Sequence, residues 1–128
     1  RNPWDLVVSH FHWLNSPDNN LSIKTSFENI INDIQNVYSK NHQVFNYNRI
    51  CNLGNTDLLV DRICKFENLN MELQKVFNYL NIPFDGKLKI FKKVSKDRKD
   101  YKHYFDENQR KIIEKNFINE IKLMNYKF

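Results

Sequence analysis

Arg1 and Ser9 are the residues of this chain best suited to chemistry, and the chemistry is the grip of an anion. An arginine ahead of a helix can hold a phosphate, because its planar fork makes bidentate, charge-assisted hydrogen bonds. Pro3 falls one or two residues inside a helix start, where its missing N–H costs nothing. That helix start adds unpaired N–H groups and a favourable dipole. Ser9 lies on the helix face that turns back toward the same point, with a hydroxyl to donate. Surface arginines and helical serines are common, so the pair alone does not separate an anion site from an ordinary helix start.

A second candidate is the basic stretch 87–102, which holds seven Lys, one Arg and two Asp. Such a run favours an anionic partner, whether a nucleotide, a sulfated sugar or nucleic acid, or else forms a solvated surface loop. His10 and His12 are two apart, so on a helix they point to different faces and cannot ligate one metal together. His42 and His103 fall in loop-like sequence without a partner. Cys51 and Cys64 have no metal-site spacing and do not make a disulfide framework; one disulfide stays open in an oxidising compartment. No metal site is expected.

The elements that must position these residues follow from apolar spacing. Trp4, Val7, Val8, Phe11 and Leu14 form one helical face that ends at Ser16 and Pro17. A second helix fits residues 25–40, with Ser26 as cap and Phe27, Ile30, Ile31, Ile34 and Val37 as its stripe. Residues 58–66 (LLVDRICKF) make the best strand candidate, being apolar, β-branched and bounded by turn signals. Asn70 is a candidate cap for a helix lined by Leu73, Val76, Phe77 and Leu80, closed by Pro83 and Gly86. Asp106 and Gln109 form a capping box, after which Ile113, Phe117, Ile121 and Met124 give a long final helix. One strand makes no sheet, so this strand is expected to join a sheet whose other members precede Arg1.

The 128 residues suit one domain, and 41% hydrophobic content is that of a globular chain. Asn, Lys and Ile are abundant, a bias typical of AT-rich coding sequence, and the formal net charge is +5. No apolar run reaches the roughly 20 residues of a membrane span, so no anchor is visible.

The opening segment resembles the R-[ND]-P-x-[DE]-x-x-V-S-x-[YF] pattern of PAPS-dependent sulfotransferases. Arg1, Asn2, Pro3, Asp5, Val8, Ser9 and Phe11 stand at its positions, with Leu6 where many members have Arg. Two later segments are similar to the family in order and spacing: VDRICKFENL with the following LQKVFNYLNIP, and residues 100–128 with the C-terminal helix and tail of carbohydrate-type and bacterial members. The likeness spans most of the chain except residues 15–48. It implies an α/β fold, a parallel sheet flanked by helices with a P-loop-like core, of which residues 1–128 are a mostly helical C-terminal portion. It implies that Arg1 and Ser9 bind the 3′-phosphate of PAPS or PAP. It also implies that a basic loop before the last helix closes over the nucleotide, for which Lys96, Arg98 and Lys99 are the candidates. Glu67 is read as structural.

The family's phosphosulfate loop has no counterpart here, since no G-x-x-x-x-G-K-[ST] occurs. That loop and the catalytic base, a His or Glu, are expected upstream of Arg1, in a domain of which this chain is a truncated part inactive alone. No catalytic residue is assigned within it. The expected activity is transfer of a sulfuryl group from PAPS to a hydroxyl or amine, with a glycan as the foremost acceptor. A cytoplasmic location is expected, with the Golgi lumen and a membrane anchor as the alternative. The rival classes are a non-catalytic relative and a basic nucleic-acid-binding module. Against the latter, no DNA-binding motif appears and aromatics do not interleave the basic run, so no nucleic acid partner is expected.

Overall fold

The computed structural model describes residues 1–17, 24–34, 50–51, 57–88 and 98–128. Among them are five α-helices: α1 (Pro3–Leu14), α2 (Phe27–Asn32), α3 (Leu69–Tyr79), α4 (Glu107–Asn116) and α5 (Ile118–Met124). Two short 3₁₀ turns, Phe66–Asn68 and Tyr101–His103, precede α3 and α4. The described chain is mostly helical and contains no strand.

Local chemistry sets most helix starts. Asn2 caps α1 by accepting from the N–H groups of Trp4 (3.0 Å) and Asp5 (3.4 Å), with Pro3 at the first helical position. Ser26 caps α2 through the N–H of Asn29 at 3.1 Å. At α4 the capping box is complete: Asp106 accepts from the Gln109 N–H, and the Gln109 side chain accepts from the Asp106 N–H.

The apolar stripes of α1, α2, α4 and α5 converge on one core. Trp4, Val7, Ile30, Ile31, Ile34, Ile113, Phe117 and Ile121 are buried together, with Phe11, Leu14, Phe27, Phe105 and Phe128 packed against them. Trp4 anchors the start of α1 twice, by its Nε1–H to the Arg110 carbonyl (3.3 Å) and by an edge-on contact with Phe128. The Tyr101–His103 turn also packs on α1, so the C-terminal third of the chain contributes much of the surface against the first helix.

Five expectations change. The segment 58–66 forms no strand: Leu58 makes one isolated antiparallel bridge with Cys51, and Leu59, Val60 and Phe66 are exposed. A strand persists only where its main-chain groups find a partner, and among the described residues this segment is paired by that bridge and by the Leu59 N–H to Ile50 carbonyl bond. Asn70 does not cap α3, which begins at Leu69; its side chain accepts from the Leu88 N–H instead. The α3 helix stops before Pro83 and Gly86, because Asn81 takes a left-handed conformation and the Ile82 N–H closes on the Phe77 carbonyl. The long final helix breaks at Phe117, which leaves the helical conformation (φ −116°, ψ 27°), and beside it the Asn116 side chain donates to the Ile112 carbonyl at 2.8 Å. The second helix, expected over residues 25–40, also ends early: α2 closes at Asn32, where Asp33 leaves the helical conformation and caps it, and residues 35–40 lie outside the described residues.

Candidate functional site

Asp5 and Ser9 are four apart on one face of α1, and Arg1 stands just before its Asn2 cap. Arg1 reaches down that face. Its Nε donates to Asp5 Oδ2 at 2.6 Å and its Nη1 donates to Ser9 Oγ at 3.0 Å. The guanidinium also lies over the ring of Phe66, with its carbon 4.6 Å from the ring centroid. A carboxylate, a hydroxyl and an aromatic face therefore fix the fork of Arg1.

Arg98 comes to the same place from 93 residues away. Its Nη2 donates to Asp5 Oδ1 and to the Asp5 main-chain carbonyl, the latter at 3.1 Å. Arg1, Asp5 and Arg98 keep only 22%, 22% and 18% of their side-chain surface, so these charges meet in a partly desolvated setting. Three of the four residues expected to bind the cofactor, Arg1, Ser9 and Arg98, thus gather around Asp5. The fourth, Lys96, lies outside the described residues. Lys99 is exposed, and its N–H points to the Tyr104 hydroxyl at 3.3 Å.

Beneath the cluster is a second polar group that sequence spacing does not reveal. Asn2 is 93% buried yet fully engaged. Besides capping α1, it donates its N–H to Glu67 Oε1 (2.5 Å) and its Nδ2 to the Tyr101 hydroxyl (3.4 Å) and the Lys127 carbonyl (3.5 Å). Glu67 in turn accepts from the Tyr126 hydroxyl at 3.1 Å. One asparagine and one glutamate therefore join the start of α1, the turn before α3, the turn before α4 and the C-terminal tail. The only local signal for this hub is an Asn directly before a helix-starting Pro.

The titration directions match this geometry. Burial works to raise the Glu67 carboxyl, but hydrogen bonds from the N–H groups of Asn2 and of Glu67 itself outweigh it, so it ionises below its ordinary range. Burial, reinforced by the Glu67 charge, pushes the Tyr126 phenol up. Tyr126 therefore stays a hydrogen-bond donor across physiological pH.

The histidines sit apart from the cluster. The His10 ring lies beside Trp13, and burial lowers its pKa. His12 Nε2 pairs with the Tyr104 hydroxyl at 2.7 Å. His103 stands in the turn before α4, and His42 lies outside the described residues. Cys51 and Cys64 are both free thiols. Among the described residues, no group of three His, Cys, Asp or Glu side chains is placed to hold a metal ion, and no helix is long and apolar enough to cross a membrane. An open cavity of ≈ 630 Å³ lined by Pro83, Phe84, Asp85 and Lys87 includes none of the expected site residues.

No family model matches the chain, nor does any curated protein or solved structure.

Proposed function

We propose that this chain supplies the 3′-phosphate-binding part of a PAPS-dependent sulfotransferase. One observation carries the proposal: Arg1, from just before the capped helix α1, meets Ser9 of that helix at 3.0 Å, with Arg98 drawn to Asp5 beside them. Two guanidinium groups and a hydroxyl are components that hold a phosphate monoester. The opening sequence pattern supplies the family, and the charge cluster supplies a reason for that pattern.

In this proposal Arg1 and Ser9 hold the 3′-phosphate, Phe66 lies against the Arg1 fork, and Arg98 approaches from the basic segment. Lys96 belongs to the same segment and is proposed as a further contact. These residues anchor the nucleotide; none is assigned to sulfuryl transfer itself. Anchoring contributes to rate because binding energy remote from the reacting atom positions that atom. The whole protein would have an α/β fold with a parallel sheet and a P-loop-like core. It would move a sulfuryl group from PAPS to a hydroxyl or amine, foremost of a glycan, in the cytoplasm.

Thermal unfolding with and without PAP tests the proposal. At about 100 times its Kd, a ligand that binds only the folded state adds about 2.7 kcal/mol, a shift of several degrees. Arg1→Ala should abolish that shift and Ser9→Ala should reduce it. An unshifted wild-type protein, or an Arg1→Ala protein stabilised as much as wild type, would refute the assignment.

A further inference from the structure

Asp5 lies between Arg1 and Arg98, the two guanidinium groups that an incoming anion would share. It stands in the first turn of α1, where the helix dipole favours negative charge. One carboxylate oxygen takes the Nε–H of Arg1 at 2.6 Å and the other takes an Nη2–H of Arg98. Arg98 is clamped further by the Asp5 main-chain carbonyl at 3.1 Å. A bidentate grip on a phosphate uses two neighbouring N–H groups along one edge of a guanidinium. On Arg1 the Nε–H is committed to Asp5, and one Nη1–H to Ser9. The charges also count against both anions staying together. Two guanidinium groups face one carboxylate, and a phosphate dianion arriving beside that carboxylate would place three negative charges against two positive ones in a partly desolvated pocket.

We infer that Asp5 is the internal occupant of this anion site, a carboxylate that holds Arg1 and Arg98 together until a phosphate monoester displaces it and takes over their N–H groups. This rests on the proposed assignment of Arg1 and Ser9 to phosphate binding and adds a regulation of that site. Asp5 keeps two like charges from driving the empty site apart. In exchange, it sets the anion concentration at which the site fills. Displacement needs only rotation of one side chain, since Asp5 is a helix residue whose main chain stays in place. The cost of displacement is the same for every anion that takes over the two arginines. Its removal therefore changes their affinities by a common factor.

Calorimetric titration of wild type, Asp5→Asn and Asp5→Ser with inorganic phosphate and with PAP tests this. Asn keeps the shape of Asp, and Ser is well tolerated in a first helical turn, so the two variants check each other for folding, monitored by circular dichroism. Both should bind phosphate and PAP about tenfold more tightly than wild type, by a similar factor for each probe, which corresponds to about 1.4 kcal/mol of competition removed. Adding Arg1→Gln to Asp5→Asn should erase the gain. If wild type binds PAP and the variants bind it equally or more weakly, Asp5 orients the arginines and the displacement idea fails while the phosphate site stands. If neither wild type nor the variants bind either probe, the phosphate site itself is refuted and the displacement idea goes with it.

Discussion

The helical bundle of α1, α2, α4 and α5 and the limb formed by residues 57–88 use similar apolar content in opposite ways. In the bundle, Ile31, Ile113 and Val7 are wholly enclosed, each buried to 1% exposure or less. In the limb, Leu59 is 67% exposed, Met71 53% and Tyr79 84%, and α3 has no buried residue. The bundle is held by apolar packing. The limb is attached largely through polar contacts at its base, where Glu67 meets Asn2 and Tyr126 and where Phe66 lies under Arg1. The candidate site is at the junction of the two. Asp5 and Ser9 belong to α1 of the well-packed bundle, so the residues proposed to hold a phosphate have a fixed base, while the platform under Arg1 comes from the more exposed limb.

The sharpest way to break this contrast is a matched pair of truncations. Ile113→Ala in the bundle should cost about 3 kcal/mol through lost burial and the cavity left behind. Met71→Ala in the limb should cost about 0.5 kcal/mol or less. Chemical denaturation of both variants measures this, and comparable losses would mean that the limb is packed as tightly as the bundle. Next in size is the junction. Asn2→Ala removes a helix cap and leaves buried partners unpaired, and should cost about 2 kcal/mol. Asp106→Ala, which removes an exposed cap only, should cost about 1 kcal/mol.

The smallest effect is a pH dependence. The folded-state pKa of Glu67 lies below its unfolded value, so the folded protein binds fewer protons there at intermediate pH. The resulting stability is present above the ordinary carboxylate range and is lost as pH falls through the lower, folded value. Glu67→Gln should flatten this acid-side loss in denaturation curves collected between pH 7 and pH 3. An unchanged slope would show that Glu67 does not fasten the limb to α1.

How much of this was legible in the sequence follows from range. The start of α1, the Ser26 cap and the Asp106–Gln109 box involve groups within three residues of each other, and the sequence alone places all of them. The same holds for the buried face of α1 and for Ile30, Ile31, Ile113, Phe117 and Ile121, which fall at helical spacing. Residues 58–66 read as a strand because β-branched and apolar residues favour one, yet a strand requires a neighbour that composition does not specify. Asn81 and Asn125 end α3 and α5 in left-handed conformations. Asn does so less often than Gly, and the sequence is rich in Asn, so these two did not stand out. In the site, Arg1 and Ser9 were legible as a pair at one helix. Asp5 as their centre was not, because its second partner, Arg98, is 93 residues away. The Asn2–Glu67 contact spans 65 residues and was hidden for the same reason.

The central claim, that Arg1 and Ser9 hold a 3′-phosphate, is tested most directly by comparing PAP with adenosine 5′-phosphate, which lacks that group. Calorimetry should show PAP binding at least about tenfold more tightly, a preference of about 1.4 kcal/mol. In Arg1→Ala the two nucleotides should bind alike. Equal affinities in the wild-type protein, or a preference for PAP that survives Arg1→Ala, would contradict the account.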